Sequence, residues 1–229
     1  ERSAEISEHV LAVKRRVLEP NHPSLLVSLN NLASLYLDMD RTDAAEAMYR
    51  EALTGAEQTL GAKDQRTLAI RNGLTRVLRR QGRSQEAEAE LREIVAGFIE
   101  LAGEDSPDTL TLRSNLATVL RDRGAFEEAE SIASDIRDRA ERVLGPLAPQ
   151  TLVFEQLLSS VLAGEGRTDE AISRLESVYA ACAEGLGVDD SRCANVAGEL
   201  AKTFERAGRE DDARAWRQRA GLTVEQIIA

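Results

Sequence analysis

Aromatic residues are scarce in this chain of 229 residues, of which they make up 3%. The cores of β-sandwiches depend on aromatic and β-branched side chains, so the scarcity disfavours an all-β fold. The rest of the chain is 42% hydrophobic and 30% charged, and it is dominated by Ala, Leu, Glu and Arg. This composition excludes a mainly disordered chain and predicts an all-α fold.

Long apolar runs are also absent. No stretch approaches the roughly 18 apolar residues of a membrane-spanning helix, and no apolar block near residue 1 is typical of a signal peptide. The net charge of −11 repels phosphate backbones, which argues against a general role in binding nucleic acid. We therefore expect a cytoplasmic protein that binds neither a membrane nor nucleic acid.

The residues that most often carry catalysis or bind metal are few. The two histidines are His9 and His22, and no Ser or Cys is paired with a base in a known catalytic motif. Neither a glycine-rich phosphate loop nor a metal-ligand spacing is present. The sequence therefore predicts a protein without catalytic activity, cofactor or metal.

The two cysteines, Cys182 and Cys193, are eleven positions apart and have no histidine nearby. This spacing matches neither a zinc site nor a disulfide framework. We interpret them as small core residues, with a redox-active pair as the alternative.

A repeat of 42 residues runs through the chain. Two columns at this interval are uniform: an alanine column (Ala45, Ala87, Ala129, Ala171, Ala213) and a leucine column (Leu32, Leu74, Leu116, Leu158, Leu200). Two further columns hold glycine, at Gly82, Gly124, Gly166 and Gly208, with Asp40 in the first repeat, and at Gly61, Gly103, Gly145 and Gly187.

Each repeat is predicted to form two helices. The first carries apolar residues at helical spacing, and the glycine after it ends the helix, because glycine adopts a left-handed conformation without steric cost. The second begins with acidic residues, which complement the positive end of the helix dipole. The uniform alanine is expected where the two helices cross closely. A helical hairpin of this kind needs a neighbour to bury its apolar face.

One stretch of the first complete repeat, "HPSLLVSLNNLASLYLDMDRTDAAEAMYREALTGAEQTLG" at residues 22 to 61, resembles the 42-residue tetratricopeptide repeats of kinesin light chains and of bacterial regulators. The resemblance implies a right-handed superhelical α-solenoid whose first helices line a concave groove. On this register, residues 1–229 form a single array of about 11 helices. Residues 1–19 are the second helix of a truncated repeat, and complete repeats follow near 24–61, 66–103, 108–145, 150–187 and 192–227. The last helix, with Ala213, Trp216, Ala220, Ile227 and Ile228 on its apolar side, is expected to cap the array.

The charge changes sign at one turn, in "LTRVLRRQGRSQEAEAEL" at residues 74 to 91. Between residues 65 and 85 there are six arginines and no acid, and Glu86, Glu88, Glu90 and Glu93 follow. We interpret the arginine-rich helix as lining the groove, and the acidic helix as a solvated outer face. Since Arg76 and Arg79 have no acid in the neighbouring repeats of their columns, they are the strongest candidates for binding a carboxylate.

Arg80 has a structural alternative. Asp38 and Asp122 occupy the positions one repeat before and after it, so the three residues could form an ion-pair ladder. Arg121 is a further candidate charge partner for a ligand, in the column of Arg79.

Amides and hydroxyls form a polar column beside the arginines, and amides at a repeat spacing can hydrogen-bond to a peptide backbone. The alternative is that they are solvated or bond between helices. The predicted groove is therefore lined by Asn30, Asn31, Asn72, Arg76, Arg79, Arg80, Ser114, Asn115, Arg121 and Gln156.

These features predict a non-catalytic scaffold that binds an extended, acidic peptide and forms part of a larger signalling or regulatory protein. One alternative is an intramolecular sensor, whose groove holds another segment of the full-length chain or a small signal. RNA binding would require basic columns in every repeat, whereas one repeat is strongly basic.

Overall fold

The computed structural model describes residues 2–19 and 21–221, which form eleven α-helices. These helices are α1 Arg2–Val17, α2 Pro23–Asp38, α3 Thr42–Leu60, α4 Gln65–Arg80, α5 Ser84–Ala102, α6 Pro107–Asp122, α7 Phe126–Leu144, α8 Pro149–Glu165, α9 Thr168–Leu186, α10 Ser191–Arg206 and α11 Glu210–Arg219. The prediction of an all-α fold with about 11 helices is confirmed. None of the helices described has the length and hydrophobicity needed to cross a bilayer.

The chain divides into two compact units, and the boundary along the sequence falls between Leu112 and Arg113 of α6. Unit 1 extends to Leu112 and contains the hairpins α2–α3 and α4–α5, with α1 packed against α2. Unit 2 begins at Arg113, and in it α7 to α11 pack successively against one another. Ala213 and Trp216 of α11 lie in the core of unit 2, as expected for one side of that helix. The expectation for Ile227 and Ile228 lies outside the described residues.

The alanine column lies in the core of the hairpins. All five alanines are 0% exposed, and every member of the leucine column is buried. A larger side chain at the alanine position would overpack this core. This burial is what a close crossing of the two helices requires, and the close crossing itself stays a prediction.

The turn inside each hairpin requires a left-handed residue. Gly82, Gly124, Gly166 and Gly208 have φ between 70° and 96°, and Asp40 adopts φ 59° at the same position of the first hairpin. Asp is one of the few residues other than glycine that enters this region readily, because its short side chain can hydrogen-bond locally. The departure from glycine at Asp40 therefore leaves the backbone of the turn unchanged.

The second glycine column ends the second helices in a more restricted conformation. Gly61, Gly103, Gly145 and Gly187 combine φ of 85° to 93° with ψ of 151° to 168°. This region of backbone space is essentially limited to glycine. A Cβ atom added at any of the four would meet no heavy atom within 4 Å, so the requirement comes from the backbone alone.

Ion pairs join the two helices of three successive hairpins at equivalent positions. Arg71 of α4 contacts Glu90 at 2.6 Å and Glu93 at 2.7 Å on α5, and Arg113 of α6 contacts Asp135 of α7 at 2.6 Å. Asp135 lies one repeat after Glu93. The arginine side chains are only 14% and 18% exposed, whereas their acidic partners are between 36% and 71% exposed, so the cations are the buried members of these pairs.

The next hairpin reverses the polarity of the pair. Glu155 of α8 occupies the position of Arg71, and Arg174 of α9 occupies that of Glu90. Arg174 donates from Nε and Nη2 to the two carboxylate oxygens of Glu155, at 2.8 and 3.1 Å, and the Glu155 side chain is 8% exposed. Arg137 Nε lies 3.4 Å from the same carboxylate. The hairpin thus retains a pair of opposite charges while exchanging which helix supplies the cation.

The cysteines are core residues, as interpreted, but the expectation that their spacing does not correspond to a disulfide is wrong. Cys182 of α9 and Cys193 of α10 are both fully buried and are joined by a disulfide, with a Cα–Cα distance of 5.6 Å. One repeat earlier the same two positions hold Ala140 and Thr151, and Thr151 Oγ1 donates to Gly145 O at 2.9 Å. The disulfide therefore replaces an alanine and a hydrogen-bonded threonine where one repeat meets the next.

Removing the buried carboxylate of Glu155 is expected to destabilise unit 2. Glu155→Gln leaves Arg174 and Arg137 without their shared counter-charge. We expect a loss of about 3 kcal/mol, the low end of the range for a broken buried pair. The low end applies because Arg174 is 30% exposed. Urea unfolding measures the change.

The matched control copies the hairpin that carries Arg71. Glu155→Arg, Arg174→Glu and Arg137→Leu together reproduce Arg71, Glu90 and Leu53, each two repeats earlier. This triple variant should recover most of the stability lost in Glu155→Gln. If it unfolds at the same urea concentration as Glu155→Gln or below it, the two hairpins are not equivalent in the way described.

Reduction of the disulfide is expected to lower the stability of unit 2 by about 2 to 4 kcal/mol, the typical contribution of a disulfide that closes a short loop. Thermal unfolding with and without reductant measures this loss. The variant Cys182→Ala/Cys193→Thr, which copies Ala140 and Thr151, should fold and should show no response to reductant. Equal unfolding temperatures of the wild-type chain in both conditions would contradict the expectation.

Candidate functional site

The exposed side of α4 carries the basic residues that the sequence singles out. Arg76 and Arg79 are exposed and Asn72 is partly buried, whereas Leu74 and Val77 are buried on the opposite side. The helix presents this polar side because its apolar residues recur every three to four positions and pack into the core.

Acidic residues compensate most of the arginine cluster. Arg66 pairs with Asp64 at 3.0 Å, and Arg71 pairs with Glu90 and Glu93, as described above. Arg83 contacts Glu46 at 2.9 Å and Glu86 at 2.7 Å. The acids after Gly82 are thus largely partners of nearby arginines, although Glu86 and Glu93 are also solvated, as expected, with side chains 58% and 71% exposed. The sign of the charge changes at this turn because opposite charges on adjacent segments meet there.

Glu46 shows how strongly this network favours the charged forms. Desolvation by burial acts to raise the pKa of Glu46, but hydrogen bonds from Gln81, Arg50 and Arg83 outweigh it and lower the pKa to about 2. The carboxylate therefore stays ionised at neutral pH, and the ion pairs around it persist.

The predicted ladder through Asp38, Arg80 and Asp122 is wrong in its first step. The guanidinium of Arg80 donates to Leu37 O and lies 3.4 Å from Asp40. Asp38 lies instead 3.9 Å from Arg76, for which no acid was expected because none occupies its position in the adjacent repeats. The side chains of Arg76 and Asp38 are 47% and 62% exposed, so their contact is loose and solvated.

The predicted residues of unit 2 have different surroundings. Arg121 donates to Asp122 Oδ1 at 2.7 Å and to Ser160 Oγ at 2.8 Å, so the α6–α8 contact already engages its charge. Ser114 and Asn115 are partly buried on α6, and Thr118 Oγ1 donates to Ser114 O at 2.8 Å. These positions are less open to a charged ligand than Arg76.

Three clefts lie between successive first helices, and each contains one of the predicted amides. The α2–α4 cleft encloses about 170 Å³ and is lined by Asn30, and the α4–α6 cleft encloses about 260 Å³ and is lined by Asn72. The α8–α10 cleft of unit 2 encloses about 500 Å³ and is lined by Gln156. Asn31 is exposed on α2. Asn30, Asn72 and Gln156 thus each line a cleft within their own unit.

Sequence reasoning missed two features of these clefts. Val27 and Val153 contribute exposed apolar surface, and Arg66 and Arg192 stand at the cleft edges. The relevant signal was present, because the pattern Asp-x-Arg occurs at residues 64–66 and again at residues 190–192, three repeats later. Within the described residues, no group of three or more His, Cys, Asp or Glu side chains is arranged to hold a metal ion.

Solved structures with the same architecture are kinesin-light-chain-like repeat proteins. A putative kinesin light chain of Podosopora anserina with nearly identical TPR-like repeats is 24% identical, with a TM-score of 0.73 over 87% of this chain and 95% of that one. BtubC (BKLC) from P. vanneervenii is 22% identical, with a TM-score of 0.72 over 96% of this chain and 89% of that one. At these identities the likeness shows the fold.

A Rap protein complexed with competence and sporulation factor is 14% identical, with a TM-score of 0.65 over 95% of this chain and 68% of that one. A comparison with curated proteins gives no match. The tetratricopeptide repeat family model matches residues 1–58, 66–142 and 108–184, which together cover well over half of the sequence. The chain therefore belongs to the tetratricopeptide repeat family.

Proposed function

We propose that this chain is a non-catalytic interaction module that binds an extended, acidic peptide across the exposed side of α4. Tetratricopeptide repeats are protein-interaction scaffolds, and membership of the family supports that general role. The Rap protein of similar fold, determined as a complex with competence and sporulation factor, supports the idea that such a fold accommodates a bound factor.

The proposed preference for acidic peptides depends on one observation, which is that Arg76 is only loosely paired with an acid. Its neighbours Arg71 and Arg80 are held by short contacts to acids or to a backbone carbonyl, whereas the nearest acid to Arg76 is at 3.9 Å. A solvated ion pair at this separation contributes little, so a peptide carboxylate could displace Asp38 at small cost. The planar guanidinium can then bind the carboxylate through two parallel hydrogen bonds.

The surroundings of Arg76 support a peptide more than a small anion. Arg79 is exposed on the same side of α4, and Asn72 lies toward the beginning of the helix. Amide side chains offer both a donor and an acceptor, which matches the alternating groups of an extended backbone. A peptide lying along this side would place its carboxylates at the arginines and its backbone at the amide.

Charge reversal at Arg76 is expected to weaken binding of acidic peptides by at least about tenfold, equivalent to roughly 1.4 kcal/mol. The measurement is fluorescence anisotropy with acidic peptides selected on a peptide array, comparing wild type, Arg76→Glu and Arg76→Glu/Arg79→Glu. Affinity for wild type should fall as salt rises, because the contacts are exposed ion pairs.

The control is Arg92→Glu on α5. Arg92 is 45% exposed, close to the 47% of Arg76, and its replacement changes the net charge by the same amount. The control variant should retain near-wild-type affinity. If Arg76→Glu and Arg92→Glu weaken binding equally, the effect is one of overall charge and the site on α4 is wrong.

A further inference from the structure

Two exposed valines occupy equivalent positions in different repeats. Val27 on α2 is 54% exposed and Val153 on α8 is 55% exposed. They are 126 residues apart, which is three repeat lengths of 42. A single exposed aliphatic side chain is ordinary on a protein surface. A pair with the same exposure at the same repeat position indicates a shared environment.

Four further lining residues match between the clefts around these valines, although the α8–α10 cleft is larger, at about 500 against about 170 Å³, and is also lined by Asn195, Glu199 and Lys202. Both have a proline in the first helical turn, a leucine in the floor, an amide on one wall and an arginine at the edge. These are Pro23, Leu26, Asn30 and Arg66 in the α2–α4 cleft, and Pro149, Leu152, Gln156 and Arg192 in the α8–α10 cleft. The α4–α6 cleft differs, because Ala69 replaces the valine and Asp108 replaces the arginine.

The edge arginine is fixed in the same way in both clefts. Asp64 caps α4 by accepting from Arg66 N at 2.9 Å, and it also accepts from Arg66 Nε and Nη2 at 3.0 and 3.1 Å. Asp190 repeats the arrangement on α10, with distances to Arg192 N, Nε and Nη2 of 2.9, 2.8 and 2.8 Å. Two of the five guanidinium N–H groups are thus used by the capping Asp, and Arg192 Nη1 also donates to Leu147 O at 3.4 Å.

The charge of each cleft is balanced internally. The capping Asp neutralises the edge arginine, and in the α8–α10 cleft Lys202 is paired with Glu199 at 2.7 Å. A charged ligand would find no uncompensated counter-charge there. What remains for a ligand is an apolar floor, an amide, and the guanidinium N–H groups that the Asp does not use.

We propose that each of these two clefts binds one uncharged aliphatic side chain of an extended peptide, and that the amide and the edge arginine hydrogen-bond to the peptide backbone on either side of it. This inference deepens the proposed function and rests on it, since it assumes that the chain binds extended peptides. It assigns two sites with matching lining residues to the chain, and neither of them includes Arg76 or Arg79.

The probe is N-acetyl-leucine N-methylamide, which presents one aliphatic side chain between two peptide groups. It is titrated into the full chain carrying ¹³C-labelled valine and leucine methyl groups, and the methyl resonances are followed by NMR. The resonances of Val27 and Val153 should shift together, with half-saturation at similar millimolar concentrations, as expected for a ligand of this size. Val188, which is 59% exposed outside both clefts, serves as the reporter of non-specific contact.

Two variants separate the sites. In Val27→Ser, the Leu26 resonances should no longer shift, whereas Val153 should respond as in wild type. In Val153→Ser, the Leu152 resonances should no longer shift, whereas Val27 should respond as in wild type. N-acetyl-aspartate N-methylamide should shift these resonances at least several-fold less than the leucine probe. A response at one cleft only, or a shift of Val188 as large as that of Val27, would overturn the proposal.

The failure of this inference can be told apart from failure of the proposed function. Arg76→Glu should leave the leucine titration unchanged, because Arg76 does not line either cleft. If the resonances of both clefts do not shift with the leucine probe while acidic peptides still bind through Arg76, the two aliphatic sites are wrong and the acid-binding surface stands. If the clefts respond to the leucine probe but Arg76→Glu does not weaken the binding of acidic peptides, the acid-binding surface on α4 is wrong and the two aliphatic sites stand.

Discussion

The burial of one methyl group at the same position of every hairpin is the constraint on which the rest of this structure depends. Because Ala45, Ala87, Ala129, Ala171 and Ala213 are all completely buried, a larger side chain at any of them would overpack the core. The leucine column is buried at the same interval of 42 residues. The sides of α2, α4 and α8 that this packing leaves uncovered line the clefts, and α4 carries the exposed arginines there.

Charge in this chain has mainly a structural role. The arginine-rich helix and the acidic helix after it look like two functional surfaces in the sequence, yet many of their charges are paired with nearby ions: Arg71 faces Glu90 and Glu93 across the hairpin, and Arg83 pairs with Glu86 beside the turn. The exchange of polarity between Arg71–Glu90 and Glu155–Arg174 shows that either helix can supply the cation of such a pair. Arg76, whose acidic partner is distant and solvated, is for this reason the arginine to which we assign a binding role in our proposal.

The fold followed from the sequence, whereas the contacts of long side chains did not. Backbone features were predictable because Ala45 and Gly82 repeat every 42 residues and have one physical reason each. The partners of Arg80 were not, because a flexible guanidinium can reach several acids, and Asp40 and Leu37 O were closer than the expected Asp38. The disulfide was missed because a spacing of eleven carries no meaning until α9 and α10 are seen to meet at Cys182 and Cys193. The twin clefts were present in the sequence as Val27 and Val153, but only a comparison across three repeats reveals them.

The glycines that end the second helices have a practical consequence for mutational scanning of this protein. Gly61, Gly103, Gly145 and Gly187 touch nothing that an alanine methyl group would displace, yet their dihedral angles exclude alanine. Substitution there would redirect the connector and misplace the following repeat. Such positions would therefore score as essential in any binding screen, and without a parallel folding assay they would be mistaken for ligand contacts.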